Sequence, residues 1–265
     1  MFRILFFGDV VGRAGRSALN KVVLPLRQEL NPDIVIANGE NSAGGLGIDE
    51  KTATEIFQAG VDVITTGNHI WHKKEIIPFL GANSNRIVRP LNFAPGAPGK
   101  GWLVWTARNG KKCAVVNLIG RVFMPDLVDC PFQQINKLLD SELKDYPIRF
   151  IDFHAEATSE KLAMSYFLDG RVTAVVGTHT HIQTADNRVL PNGTAHLTDA
   201  GMCGPLESVI GIESDAIVKR FTTGLPIKFE VAKGRAVINA VAIDCDESSG
   251  RALKIERVNR EVETS

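Results

Sequence analysis

Short, nearly unbroken apolar runs alternate with amphipathic stretches along most of the chain. Residues 3–7, 34–37, 61–64, 148–153 and 172–176 read as buried strands, too short and too rich in Val, Ile and Phe for helices. Between them, residues 16–30 place Leu19, Val22, Val23, Leu26 and Leu30 at helical spacing until Asn31-Pro32 stops the run. Helices are also predicted over 50–59 with Asp49 as N-cap, over 71–80, over 132–143, and over 159–168 with Ser159 as cap. The opening order β-α-β-α-β implies a parallel sheet with right-handed crossovers. Residues 101–107 and 112–118 flank Asn109-Gly110, a strong hairpin signal. The last third turns β-rich, with strands expected over 194–197, 227–231, 237–244 and 253–258 and a helix over 215–221. With no repeat or linker in view, residues 1–265 read as one domain.

Polar residues fall where these runs end. Val63-Ile64 leads through Gly67 to Asn68 and His69, and Asp9, Glu40-Asn41, His154 and His179 with His181 follow four other runs. In parallel α/β sheets the carboxyl ends of strands share one edge, where ligands bind. On an extended backbone neighbouring side chains point to opposite sides. Asn68 is therefore expected to grip a fixed centre while His69 faces a substrate, and His179 and His181, two apart, share one face. A plainer reading makes Asp9 and Glu40 helix caps and the histidines hydrogen-bonded core residues, but five strand ends delivering O and N donors argue against it.

Carboxylate, carboxamide and imidazole suit Mn, Fe, Zn or Co without choosing among them, and the absence of Cys from these motifs disfavours a thiolate-bound structural zinc. The donors outnumber the needs of one catalytic ion. Two ions roughly 3.5–4 Å apart, bridged by a carboxylate, are the natural arrangement, and such pairs usually serve phosphoester hydrolysis. Gly44-Gly45-x-Gly47 lacks the Gly-Lys-Ser/Thr ending of a phosphate-cradling NTPase loop.

Composition narrows the partners. Lys+Arg of 30 equal Asp+Glu of 30, so no global positive field attracts long nucleic acid. Cys113, Cys130, Cys203 and Cys245 are scattered and read as free thiols in a reducing cytoplasm. No run reaches the length of a membrane span. The expected partner is a small phosphoester, and a homo-oligomer is compatible with the sequence.

The motifs Gly8-Asp9, Gly39-Glu40-Asn41, Gly67-Asn68-His69, His154 and Gly177-Thr178-His179-Thr180-His181 follow the order of the calcineurin-like metallophosphoesterases. More narrowly, Gly8-Asp9-Val10-Val11-Gly12, Asn38-Gly39-Glu40-Asn41, residues 152–161 and residues 177–188 resemble the bacterial YmdB-type phosphodiesterases. The resemblance runs from Phe2 to about Val258. It implies a four-layer α/β/β/α sandwich and hydrolysis of 2′,3′-cyclic nucleotides at the 2′ ester bond. It also implies the ligand sets: Asp9, Glu40, Asn41 and His181 for one transition-metal ion, and Glu40, Asn68, His154 and His179 for the other, iron or manganese being favoured over zinc or cobalt. His69 would then protonate the leaving ribose oxygen, and Asp152, Glu156 and Asp186 would orient imidazoles from behind.

Two departures stand out. Val11 replaces the His that the broad superfamily has two residues after its first Asp, leaving Asn41 to supply a ligand, and Glu40 replaces a bridging Asp. His72 stands where an acidic residue is expected, and both His72 and His196 read as exposed or supporting residues rather than ligands. A phosphomonoesterase with the same centre, and a metal- or nucleotide-sensing module with little turnover, are the competing readings. His69, which has no use in a sensor, favours an enzyme.

Overall fold

A computed structural model describes residues 1–264. The first half holds β1 (Phe2–Phe7), β2 (Asp9–Val10), α1 (Gly12–Leu30), β3 (Ile34–Asn38), α2 (Glu50–Gln58), β4 (Val63–Thr65) and α3 (Ile76–Ala82). A hairpin of β5 (Trp102–Thr106) and β6 (Lys112–Ile119) leads to α4 (Pro131–Asp140), β7 (Ile148–His154), α5 (Thr158–Phe167) and β8 (Ala174–Thr178). The chain ends with β9 (Arg188–Val189), β10 (Ala195–Leu197), β11 (Met202–Pro205), α6 (Ser214–Thr223), β12 (Ala236–Cys245) and β13 (Ala252–Val262).

Two sheets result. In the first, β1, β3 and β4 are parallel as the β-α-β-α-β order requires, but β12 lies antiparallel beside β1 and also pairs with β11 and β13, so the sheet is mixed. The second runs β5-β6-β7-β8-β10-β9, with parallel pairing from β6 to β10 and antiparallel strands at both edges.

Strand alternation explains the layering. Ile4 and Phe6 of β1 meet Val115, Phe150 and Val176 of the second sheet, and the Phe6 and Phe150 rings lie 4.9 Å apart. Leu5 and Phe7 face the opposite way, into a core shared with α1, α2 and α3. On the far side, Val116, Ile151, Phe153 and Val175 pack against Ile135 and Leu138 of α4 and Met164 of α5. These three cores between four layers are the expected α/β/β/α sandwich. Burying strands on both faces is why their sequences read as continuous apolar runs.

Some local expectations fail. Residues 71–80 are not one helix: a 3-10 turn at Ile70–His72 is followed by extended Lys73 (φ −113°, ψ 105°) before α3 begins. Ser159 caps nothing, since α5 starts at Thr158 after Ala157 with no side-chain cap. Asp49 does cap α2, accepting from the Thr52 N–H at 2.8 Å while Thr52 Oγ1 accepts from the Asp49 N–H at 3.1 Å. Helix α1 begins four residues before the expected start, at Gly12, whose φ of 57° turns the chain out of β2. The alternating run 227–231 forms only an isolated bridge from Val231 to Ile212, and Phe229 remains exposed.

Candidate metal centre

The carboxyl ends of both sheets meet at one edge. The first sheet brings Asp9, Glu40, Asn41, Asn68 and His69, and the second brings His154, His179 and His181. All eight residues singled out in the sequence converge there. Asp9, Glu40, Asn41 and His154 are buried, and Asn68, His69, His179 and His181 are half-buried. Small residues permit the approach: a Cβ on Gly67 would lie 2.3 Å from Glu40 Oε2 and 2.4 Å from His154 Cδ2.

His154 Nε2 has Asn68 Oδ1 at 2.9 Å, His179 Nδ1 at 3.0 Å and Glu40 Oε1 at 3.1 Å. Glu40 Oε1 also receives Asn41 Nδ2 at 3.1 Å, and the same Nδ2 lies 3.2 Å from His181 Nε2. Asp9 closes the group: its Oδ1 is 3.9 Å from His181 Nε2 and 4.0 Å from His154 Nδ1. Glu40 thus touches both halves of the cluster, with Asn68, His154 and His179 on one side and Asn41 and His181 on the other.

Each imidazole is braced from behind. His154 Nδ1 contacts Thr178 Oγ1 (2.9 Å), which donates to Asp152 Oδ1 (2.7 Å); His179 Nε2 contacts Glu156 Oε2 (3.2 Å); His181 Nδ1 donates to the Ile210 carbonyl (2.8 Å). Acceptors on the outer nitrogens of His179 and His181 place those ring protons outward and leave lone pairs pointing at the centre. His154 Nε2 instead turns a proton toward Glu40 Oε1 and Asn68 Oδ1, the position where a cation would replace it. Asp152 is further fixed by Asn38 Nδ2 and the Thr65 hydroxyl.

The charges agree. Burial raises the Asp9 carboxyl above its usual range, and it raises Asp152 to about 7. Burial also opposes charge on Glu40 and His154, yet their mutual attraction prevails, lowering Glu40 and raising His154. Burial and neighbouring His154 lower His179 to about 3, so it stays neutral and able to donate a lone pair. This concentration of acceptors suits a cation.

A metal fits on two further observations. The buried Asp9 Oδ1 has no hydrogen-bond partner, and donor atoms of Glu40, His154 and His179 all lie within 4.8 Å of one another. Carboxylate, imidazole and carboxamide together match a transition-metal site.

The route by which some residues arrive differs from the expected one. His179 and His181 do not share a face through extended backbone: both have positive φ, 101° and 65°, so a left-handed turn orients them. The His179 conformation, costly for a side chain with a Cβ, is held by its N–H donating to Asp9 Oδ2 at 3.1 Å. Alternation also fails for Asn68 and His69, which follow the end of β4 in a turn, and His69 does not point away from the cluster. Its N–H donates to Glu40 Oε2 (3.1 Å), and its Nδ1 lies 2.7 Å from Asn41 Oδ1.

His72 is exposed, edge-on to His69. Glu156 and Asp152 stand behind imidazoles as expected. Asp186 does not reach the cluster; it pairs with buried His196 (3.1 Å), which also contacts Ser165 Oγ (2.7 Å). Sequence reasoning passed over Asp199, whose carboxylate accepts from Thr180 N (3.1 Å), Thr180 Oγ1 (2.8 Å) and Lys161 Nζ (2.7 Å). Its signal was available, because Asp199 follows the end of the run 194–197. Asp126 was also missed: one buried oxygen has no partner, and its carboxyl is raised by burial within the fields of His154 and Glu40. No pattern marks that loop position.

Residues 5–258 match the model of the YmdB-like protein family. The chain is 51% identical over 256 residues to the 2′,3′-cyclic-nucleotide 2′-phosphodiesterase of Bacillus subtilis, covering 97% of this chain and 96% of that protein. A crystal structure from Mycoplasma pneumoniae, described as a novel phosphatase, superposes with a TM-score of 0.92 at 36% identity, covering 99% of this chain and 94% of that one. A hypothetical protein from Thermus thermophilus gives a TM-score of 0.91 at 41% identity, covering 98% of this chain and 100% of that one.

Proposed function

The chain belongs to the YmdB-like protein family, and from that premise we propose that it is a dinuclear metal-dependent phosphodiesterase of small cyclic nucleotides, opening 2′,3′-cyclic nucleotides at the 2′ ester bond. The observation that carries this reading is the set of three imidazoles, each braced on its outer nitrogen and aimed inward at Glu40, Asp9 or the two carboxamides. Asp9, Glu40, Asn41 and His181 would hold one ion, and Glu40, Asn68, His154 and His179 the other, with iron or manganese as the expected metals. When bound, such ions supply a polarised phosphoryl group and water acidic enough to ionise near neutral pH.

The chain's own residues supply orientation and a proton. Thr178, Glu156 and the Ile210 carbonyl fix the rings, so little reorganisation is needed when substrate arrives. His69 is half-buried, and Asn41 occupies its Nδ1, leaving Nε2 to deliver a proton to the departing ribose O2′. Burial lowers the His69 pKa, opposed by Glu40. A bound phosphodiester anion raises it again and thereby loads the acid where it is needed.

We take residues 1–265 as one domain, acting in the cytoplasm, where its four free cysteines suit reducing conditions. A second reading, phosphomonoester hydrolysis at the same centre, is favoured by the description of the Mycoplasma pneumoniae structure as a phosphatase. Assay of the metal-loaded protein on 2′,3′-cyclic AMP and on adenosine 3′-monophosphate separates them. The proposal expects the cyclic ester to be opened to the 3′-monophosphate and then left intact. Formation of the 2′-monophosphate, or faster turnover of the monoester, would overturn it.

A further inference from the structure

At the amino ends of β7 and β8, opposite the candidate metal centre, a cleft of about 530 Å³ opens between the α4–β7 connection and the β12–β13 turn. We infer that this cleft binds a small molecule carrying phosphoryl groups. Its size is that of a small-ligand pocket, and its lining is cationic: Lys144, Arg149, Arg171 and Arg251 against a single carboxylate, Asp145.

Those charges are poorly compensated. Arg171 pairs with Asp140 at 3.0 Å, but among the described residues Lys144, Arg149 and Arg251 have no carboxylate within ion-pair distance. The Arg149 guanidinium is instead fixed by three backbone carbonyls, those of Arg171 (2.6 Å), Leu143 (2.9 Å) and Lys144 (3.0 Å), while its buried Nε has no partner. Burial and the charge of Arg171 lower its pKa, so the field at this point lacks an anion. Arg149 thus contributes a fixed positive charge to the cleft floor, and the exposed Lys144 and Arg251 are the groups free to contact phosphate oxygens.

Two other acids nearby are committed elsewhere. Asp246 Oδ1 accepts from the backbone N–H groups of Ser248 (3.1 Å) and Ser249 (2.8 Å), and so stiffens one wall. Asp169 accepts from Asn192 N (3.0 Å) and Thr194 N (3.3 Å) beside the other. Glycines line the space between: Gly170, Gly193 and Gly250. A Cβ on Gly193 would lie 2.8 Å from Arg251 Nε, so Gly193 lets that side chain lie flat across the cleft.

A small ligand is favoured over a polynucleotide because the cationic residues form a bounded concavity on a chain whose charges balance, 30 against 30. Strand β7 runs from the cleft, where Pro147 and Arg149 lie, to His154 at the centre, roughly 20 Å along an extended strand. Ligand here does not compete with substrate.

Calorimetric titration of inorganic pyrophosphate into the metal-loaded protein tests the inference, using wild type, the double variant Lys144→Gln/Arg251→Gln, and Glu40→Gln. Both substituted cations are exposed and unpaired among the described residues, and a melting curve checks that the double variant folds as wild type does. Saturable binding should weaken by roughly tenfold or more in the double variant, as loss of charge-assisted contacts implies, and should persist in Glu40→Gln. Cyclic-nucleotide turnover of the double variant should be unchanged. Equal binding by wild type and double variant, absence of saturable binding at millimolar pyrophosphate, or loss of binding in Glu40→Gln would each overturn it. Affinity for duplex RNA that rises with length and exceeds that for pyrophosphate would also overturn it, marking the face as a nucleic-acid surface.

Discussion

Lys161 places its ammonium 2.7 Å from Asp199 Oδ2, and neither side chain is more than 1% exposed. Lys161 comes from α5 and Asp199 from the segment after β10, so the pair ties a helix to the rim of the sheet. The same Asp199 oxygen accepts from Thr180 N and Oγ1, in the middle of the turn that carries His179 and His181. The ion pair therefore anchors two candidate ligands without touching the cluster.

Lys161→Met should leave Asp199 buried with an uncompensated charge. Breaking one partner of a buried pair typically costs about 3–5 kcal/mol. Chemical denaturation should show a loss of that order, and metal affinity should fall with it because the 179–181 turn loosens. A shift below about 1 kcal/mol, the level of an exposed pair, would contradict the anchoring role.

Metal content gives the most direct check on the proposed centre. Two transition-metal ions per chain are expected by elemental analysis, and chelation should remove ions and activity in step. One ion per chain, or full turnover after exhaustive chelation, would refute the dinuclear arrangement.

Glu40 touches both halves of the cluster, so Glu40→Gln should lower occupancy of both ions and activity together. His72→Ala, at an exposed position, should change neither appreciably. A Glu40→Gln protein with two ions and normal turnover would mean the bridge is assigned to the wrong residue.

His69→Ala should retain both ions yet lose about 10²–10⁴-fold in turnover, the usual contribution of a positioned general acid. The loss should shrink on a nitrophenyl phosphodiester, whose leaving group needs no proton. Equal losses on both substrates would remove His69 from the acid role. Loss of metal would recast it as a ligand or as an essential support for Asn41.

Asp186 gives a pH signature away from the centre. Burial opposes its charge, but the hydroxyls of Thr198 and Thr184 and the Thr198 N–H outweigh burial and hold it below the ordinary carboxylate range. A depressed folded-state pKa adds stability that is present above the unfolded value, about 3.9, and is lost as pH falls through the folded value. Asp186→Asn should therefore lower the melting temperature at pH 7, and the gap from wild type should narrow below about pH 4. A gap independent of pH would show that shape, not charge, matters at this position.

Much of the candidate site was legible because strand ends are marked twice, by the end of an apolar run and by a glycine that lets polar groups crowd together. Asp9, Glu40 and Asn68 were readable on those terms, and His154 by the end of its apolar run alone. Their orientation was not. Alternation describes strands, whereas Asn68, His69, His179 and His181 lie in turns set by contacts distant in sequence, such as His179 N to Asp9. The Ile210 carbonyl that braces His181 carries no side-chain signal at all. For the fold, the apolar runs sufficed except where partners were missing. Residues 227–231 alternate like a strand but find only one bridge. In β13, burial of Ala252, Ile255 and Val258 at every third position reflects an edge strand passing from the core between the sheets to the outer core.

The convergence of the two sheets has a mechanical side. Asp9, Glu40, Asn41 and Asn68 belong to one layer and His154, His179 and His181 to the other. An ion gripped by both sets is a rivet through the sandwich at its open edge. Its affinity then registers as resistance to prying the layers apart, a resistance concentrated at one rim, while the opposite rim relies on apolar packing and a few polar contacts such as Asn109 Nδ2 to Asp33 Oδ1. Amide exchange along the ends of β3 and β7 should slow on metal loading far more than at their beginnings, so the protein would stiffen from its working edge inward.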